Sequence, residues 1–93
     1  MEIDFYIDPD TGLPHIAGRG IEGWEAIDVL LRPEADYNGQ DGTRHAVGQT
    51  RNGRYLRVIY RRIASDGSRL VITAFDLPPK AKQALRRHRR RRK

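Results

Sequence analysis

Three strand-like runs separated by two glycine turns fill residues 43 to 75, which read TRHAVGQTRNGRYLRVIYRRIASDGSRLVITAF. The turns are Asn52-Gly53 and Asp66-Gly67, dipeptides that favour left-handed backbone in tight hairpin connections. In the middle run, which spans residues 54 to 63, Leu56, Val58 and Tyr60 share one side at period two. The pattern predicts a three-stranded antiparallel meander whose Leu56 side faces the core.

The part of the chain before the meander predicts a strand and then a helix. Residues 3 to 7 alternate as a short strand, and residues 13 to 20 allow one helical turn. Residues 21 to 31 are expected to form a helix that buries the stripe of Trp24, Ile27, Leu30 and Leu31. Two glycine dipeptides between residues 38 and 42 then indicate a turn-rich loop.

After the meander, Pro78 and Pro79 suit the first turn of a helix whose narrow apolar stripe is Ala81, Ala84, Leu85 and His88. The resulting order is an N-terminal strand, one or two helices, the meander and a basic C-terminal helix. This is an α+β fold, expected to carry its helices against one face of the sheet. Residues 1 to 85 are predicted to form this single domain and residues 86 to 93 a polybasic tail. Because the cations from Arg89 to Lys93 repel one another, we expect them to fray and to add affinity rather than stability.

Charge divides the 93-residue chain into two opposite halves. The formal net charge is +6, but residues 1 to 41 hold ten of the twelve acids with only two arginines. Residues 42 to 93 hold the other sixteen bases against Asp66 and Asp76, and nine of those bases fall in the last fourteen residues. Some of this charge can pair within the fold, but a tail without acids requires an external anion or solvent.

The composition excludes several classes of site. With no cysteine, the chain has no disulfide, no thiolate metal site and no cysteine nucleophile, and it suits a reducing cytoplasm. Its three histidines lack metal-ligand spacing, so no metal or other cofactor is predicted. The acidic opening from Met1 to Asp4 is followed by no long apolar stretch, so we expect neither a secretory signal nor a membrane span.

A dense set of cations along the meander points to nucleic acid as the partner. Seven arginines fall between residues 43 and 69, with a single acid among them. Guanidinium groups grip phosphate bidentately, and neighbouring tyrosines offer surfaces on which bases stack. The residues predicted to bind nucleic acid are Arg44, Arg51, Tyr55, Arg62, Arg69, Arg86, Arg87, Arg89 and Arg90.

RNA cleavage without a metal requires a proton acceptor, a proton donor and cations that stabilise charge on the phosphate. His45 is the predicted base, because imidazole titrates near neutrality. Tyr60 offers a phenol, and Arg54, Arg57 and Arg61 offer the cations. Alternation along the strand places Arg57 and Arg61 on the side opposite Tyr60, so a regular strand cannot bring all of them to one cleft.

Short apolar and glycine motifs from Gly20-Ile21 to Ile72-Thr73-Ala74 also carry a family resemblance, which covers about two thirds of the chain. The intervening elements are Glu25-Ala26, Val29-Leu30, Pro33, Arg44, Gly48, Thr50, Gly53-Arg54, Leu56, Val58 and Tyr60. On these residues the chain resembles the BrnT-type toxins of the wider RelE/ParE-like group of small bacterial toxins. The resemblance implies a RelE-like fold and metal-independent endoribonuclease activity on RNA, free or on the ribosome. It also implies a cognate antitoxin that holds the protein inactive.

Two departures from that family bear on catalysis. Phe75 follows Thr73-Ala74 where the family tends to carry an arginine, and Phe5, Tyr6 and Asp8 replace its opening Trp-Asp-Glu signature. In these features the chain is more similar to uncharacterised relatives of the fold than to the characterised toxins. The fold therefore transfers more safely than the activity.

Three functions are open on the sequence. The first is a toxin-like endoribonuclease of a toxin-antitoxin system. The second is a nucleic-acid-binding module without catalysis, in which Phe75 replaces the arginine because no chemistry is needed. The third is an interaction protein whose basic tail docks on an acidic protein or an anionic membrane surface. The first two share nucleic-acid binding, and cleavage of RNA in the presence of a chelator separates them.

Overall fold

The computed structural model describes residues 2–63 and 65–91, with side chains as far as Arg89. Its strands form a five-stranded sheet in the order β1-β5-β4-β3-β2, which confirms the α+β class. The elements in chain order are β1 (Ile3–Phe5), a 3-10 helix (His15–Arg19), α1 (Gly23–Leu31), β2 (Ala35–Asn38), β3 (Arg44–Gln49), β4 (Tyr55–Arg62), β5 (Arg69–Asp76) and α2 (Pro79–Arg91).

The predicted meander is confirmed as the centre of this sheet. β4 pairs antiparallel with both β3 and β5, so that Val58 lies between Ala46 and Ala74. Gly53 and Gly67 take φ angles of 89° and 91° at the two turns, a region that glycine enters without steric cost. The two glycine dipeptides thus set the connections as the sequence predicts.

Two short strands complete the edges of the sheet. β1 pairs parallel with β5 through Ile3–Phe5. β2 pairs antiparallel with β3 in a stretch that the sequence assigns to a loop, and that prediction was wrong for residues 35 to 38. The turn is confined to residues 39 to 43, because Asp36 and Asn38 accept hydrogen bonds from Arg44 of β3 and so hold β2 in the sheet.

α1 and the 3-10 helix pack on the predicted core side of β4. The buried stripe of α1 is Ala26, Val29 and Leu30, whereas Trp24 is 38% exposed and Leu31 57% exposed. The predicted stripe was therefore wrong for these two residues, since α1 offers a second apolar stripe at i, i+3 and i+4 spacing. The observed stripe packs in one cluster with Ala46, Leu56 and Val58 of the sheet.

α2 packs on the opposite side of the sheet, so the expectation of helices on one face was wrong. Leu77 and Leu85 are buried against Val47 and Tyr55, which alternate with the core residues of β3 and β4 and point away from α1. These apolar residues give α2 a second, smaller core. We call the two sides of the sheet the α1 face and the α2 face.

α2 continues into the segment that the sequence assigns to a frayed tail. The helix runs to Arg91, and Arg89 donates from Nε to Glu34 Oε1 at 2.7 Å and from a terminal nitrogen to Gln49 Oε1 at 3.0 Å. The expectation of fraying was thus wrong for Arg89, because the fold supplies the carboxylate that the tail itself lacks. Residues 92 and 93 lie outside the described residues.

Candidate nucleic-acid-binding face

α2 covers only part of the α2 face, and the remainder is open. Strand pairing creates two rows there, His45-Ile59-Thr73 and Val47-Arg57-Phe75. α2 packs over Val47, whereas the members of the first row are only half-buried. We define the open face as His45, Arg57, Ile59, Thr73 and Phe75, with Tyr37 and Arg61 at its margins.

Phe75 has two guanidinium groups over its ring. The Cζ atoms of Arg57 and Arg19 lie 5.6 and 5.8 Å from the ring centroid. Arg57 is the cross-strand neighbour of Phe75 on β4, and Arg19 ends the 3-10 helix. Among the described residues, no carboxylate forms an ion pair with either arginine. Cation-π attraction therefore places two cations beside an aromatic ring without neutralising them.

Three buried polar atoms of the open face have no hydrogen-bond partner among the described residues: Nδ1 of His45, Nε of Arg57 and Oγ1 of Thr73. A fourth such atom, Nε of Arg69, lies near Tyr60 on the α1 face. Buried polar groups are normally satisfied, and leaving one unsatisfied costs about 1–3 kcal/mol. Three of the four such atoms in the described residues therefore lie on one surface of the sheet.

His45 packs against two residues of the neighbouring β2 hairpin. Its ring centroid lies 5.3 Å from that of Tyr37. A Cβ at Gly39 would lie 2.6 Å from His45 Cδ2 and Nε2, so no residue larger than glycine fits there without displacing the ring. The imidazole is therefore a positioned group, as a hydrogen-bonding or proton-transfer role requires.

Comparison with known proteins offers no function that could be transferred to this site. No protein-family model, curated protein or solved structure matches this chain. Within residues 2–63 and 65–91, no three His, Cys, Asp or Glu residues are grouped as a metal site requires. No helix in the described part of the chain is long and apolar enough to cross a membrane.

The structure does not bring the five predicted catalytic residues into one site. His45 and Arg57 share the open face, with Arg61 at its margin, but Tyr60 and Arg54 lie on the α1 face. Tyr60 is fully buried and its hydroxyl donates to Asp36; burial first, and then this hydrogen bond, raise the pKa of the phenol. A phenol on the far side of the sheet cannot protonate a leaving group at the open face.

Arg54 is committed to carboxylates of the protein itself. Its guanidinium donates to Asp76 at 2.7 Å, to Glu25 at 3.1 Å and to the carbonyl of Gly20 at 2.9 Å. The hydrogen bond with Asp76 raises the pKa of Arg54 and lowers the pKa of Asp76. Because the Glu25 side chain is only 5% exposed, Arg54 serves as its buried counter-charge and joins α1 to β5.

Three arginines predicted to bind nucleic acid also make contacts with other parts of the fold. Arg44 and Arg51 form ion pairs at 2.8 Å with Asp36 and Asp28, respectively, and Arg69 lies over the Tyr60 ring. Of the other arginines predicted to bind nucleic acid, Arg62, Arg86 and Arg87 have exposed side chains, and Arg89 is paired with Glu34. The side chain of Arg90 lies outside the described residues.

Tyr55, predicted as a surface on which bases stack, lies beneath α2 instead. The residue is 7% exposed, and Lys82, Arg86 and Arg89 each place a cationic group within 5.8 Å of its ring centroid. The hydrogen bond with Arg86 is the main cause that lowers the pKa of the phenol. Because the ring is buried beneath α2, it is not available to a base, whereas Phe75 is only half-buried.

Sequence reasoning missed Phe75, Thr73, Arg19 and Tyr37 as members of this surface. A signal existed for the first two, because they flank Ala74 on β5 and so must point away from the core side that Ala74 faces. Arg19 and Tyr37 come from a short helix and from the unpredicted strand β2. Their position depends on tertiary structure, which leaves no local pattern.

Proposed function

We propose that this protein binds single-stranded RNA through the open face. The observation that carries the proposal is the group of Arg57, Arg19 and Phe75 beside the unpartnered polar atoms of His45 and Thr73. Single-stranded RNA offers phosphates to guanidinium groups and unstacked bases to aromatic rings. The open face presents both kinds of partner next to each other.

The distribution of charge supports an anionic ligand at this face. Four acids of the N-terminal half are each paired with an arginine of the C-terminal half, away from the open face. The pairs are Asp28 with Arg51, Glu25 with Arg54, Asp36 with Arg44 and Glu34 with Arg89. Arg57 and Arg61 have no such pair among the described residues. Internal pairing thus neutralises these four acids away from the open face, while Arg57 and Arg61 keep their charge at it.

Fluorescence anisotropy with a labelled single-stranded RNA tests the proposal. Arg57→Gln removes a charge-assisted phosphate contact and should weaken binding by about tenfold. Phe75→Leu removes a stacking surface and should also weaken binding by about tenfold. Arg32→Gln is the matched control, because Arg32 is an exposed arginine at the end of α1, away from the open face.

The salt dependence of the same measurement gives a second criterion. Each phosphate that the protein neutralises on a single strand contributes a slope of about −0.7 in log affinity against log salt, so Arg57→Gln should make the wild-type slope shallower by about this amount. Equal losses for Arg57→Gln and Arg32→Gln would point to non-specific charge rather than to the open face. A wild-type affinity that does not depend on salt would remove nucleic acid as the ligand.

A second candidate function is a metal-independent endoribonuclease of a toxin-antitoxin system, with a cognate antitoxin as its protein partner. The observation that favours it is that His45 and Arg57, a potential base and a cation, share the open face. General base catalysis and charge stabilisation require both groups on the same side of the sheet. Tyr60 and Arg54 have no part in this candidate mechanism, because they face the opposite side.

Incubation with RNA in chelator, alone and on translating ribosomes, separates the two functions. Cleavage that His45→Ala abolishes while binding persists supports the enzyme. RNA that stays intact in both settings but is retained by the protein supports the binding module.

A further inference from the structure

A groove of about 280 Å³ runs between α2 and the sheet, next to the open face. Val47 and Leu77 form part of its walls, and the α2 side contributes Ala81, Ala84 and Leu85. Ala81 and Leu85 pack against the small core of the α2 face, and the groove lies beside this contact. None of the described residues that line the groove is acidic.

Arg57 is the permanently charged residue in the lining of the groove. Its Nε atom is buried and without a hydrogen-bond partner among the described residues, and no described carboxylate pairs with it. The guanidinium lies over Phe75, where the groove meets the open face. An unpaired guanidinium thus stands at one end of an apolar groove, and this arrangement is complementary to a molecule with an anionic head and an apolar body.

We propose that this groove binds a small amphipathic carboxylate, with its carboxylate on Arg57 and its apolar body between α2 and the sheet. A carboxylate matches the planar fork of one guanidinium, and a single charge needs no second cation. A nucleobase fits less well, because Val47, Leu77 and Leu85 offer no hydrogen-bonding side chain to its edges and, in the described lining, His88 is the one such side chain besides Arg57. The groove is distinct from the open face that is proposed to bind RNA, but both include Arg57. A bound carboxylate therefore competes with RNA for this residue.

Titration of the full chain with sodium octanoate, followed by NMR amide shifts, tests the proposal. Octanoate should bind saturably below its micelle concentration, with shifts centred on α2 and β4. Full burial of a methylene strengthens binding by up to about fourfold, so butyrate should bind much more weakly. Octanol, which has the same apolar body without the charge, should bind at least about tenfold more weakly than octanoate.

Two variants locate the site, and one serves as the control. Arg57→Gln should weaken octanoate by at least about tenfold and leave octanol unchanged. Ala84→Leu should weaken both probes, because the larger side chain fills the groove. Arg87→Gln removes an exposed charge from the same helix outside the lining and should change neither.

Equal octanoate affinity in wild-type protein and Arg57→Gln would overturn the proposal, as would the absence of saturable binding. If Ala84→Leu does not fold, the affinities of Arg57→Gln for octanoate and for octanol still test the proposal. The RNA titration is a separate measurement, so failure of one site is distinguishable from failure of the other.

Discussion

The two faces of this sheet differ in how completely their polar groups are satisfied, although the same strands build both. On the α1 face, Arg54 pairs with Glu25 and Asp76, and Tyr60 donates to Asp36. On the α2 face, His45, Arg57 and Thr73 keep buried polar atoms without partners among the described residues. Arg54, directly before β4, is thus paired within the fold, whereas Arg57 of β4 has no ion-pair partner among the described residues.

Arg54→Ala should give the largest effect and tests the α1 face. The substitution leaves the nearly buried Glu25 without its counter-charge, which should lower the free energy of unfolding by about 3–5 kcal/mol. Urea denaturation measures the loss. Arg57→Ala, three residues later in β4, is the control and should change stability by less than about 1 kcal/mol. Comparable losses for the two variants would show that the faces do not divide stability and binding in this way.

Tyr60→Phe should have the next largest effect and isolates one hydrogen bond of the α1 face. The hydroxyl donates to Asp36, and loss of a hydrogen bond to a charged group should cost about 1.5–3 kcal/mol. Thermal or urea unfolding checks this value. Tyr37→Phe is the matched control, because Tyr37 is 42% exposed at the margin of the open face. A neutral Tyr60→Phe would mean that Arg44 alone satisfies Asp36.

Acidification should weaken α1 through Asp28. The hydrogen bond from Arg51 lowers the pKa of Asp28 from 3.8 to about 2. A carboxyl whose pKa is depressed in the folded state stabilises the protein above pH 3.8, and this contribution is lost as the pH falls towards 2. Because Arg51 is 72% exposed, we expect a contribution of no more than about 1 kcal/mol.

Stability curves of wild-type protein and Arg51→Gln, measured between neutral pH and pH 2, check this prediction. The two curves should converge in acid, whereas Arg57→Gln should keep the acid sensitivity of the wild type. Curves for Arg51→Gln and wild type that stay parallel would assign the acid sensitivity to another pair.

Arg89→Gln should give the smallest effect and tests how α2 is held. The ion pair with Glu34 is partly exposed, so its loss should cost about 0.5–1 kcal/mol. Arg87→Gln, two residues earlier and exposed, should be neutral and controls for net charge. Differential scanning fluorimetry of both variants makes the comparison. Identical melting temperatures for the two variants would show that the ion pair of Arg89 with Glu34 does not stabilise the protein.

The parts of the fold that follow from local pattern were predictable. Asn52-Gly53 and Asp66-Gly67 impose backbone angles that few other dipeptides tolerate. Alternation along β4 leaves only two ways to assign its side chains to the two faces of the sheet. The core side containing Leu56 therefore follows from the sequence. The buried side of α1 does not, because two apolar stripes compete and the choice depends on packing against strands far along the chain.

The candidate site was predictable only in part, for a related reason. Alternation separates Arg57 from Tyr60 as the sequence predicts, but that His45 shares the open face with Arg57 follows only from the pairing of β3 with β4. Whether an arginine is free depends on acids 20 to 30 residues away, as for Arg51 with Asp28 and Arg54 with Glu25. Such pairs form only when α1 docks on the sheet, so local sequence carries no sign of them.

The lengths of the strands have a consequence for self-association. The edge strands β1 and β2 have three and four residues, whereas the interior strands β3, β4 and β5 have six to eight. Unpaired backbone groups at a sheet edge are the template on which a second chain adds, and short edges offer few of them. The long strands β3, β4 and β5 are interior strands, so their backbone groups already pair with a neighbouring strand on each side. The molecule can therefore expose a broad sheet face to a ligand without also exposing a long edge that would promote aggregation.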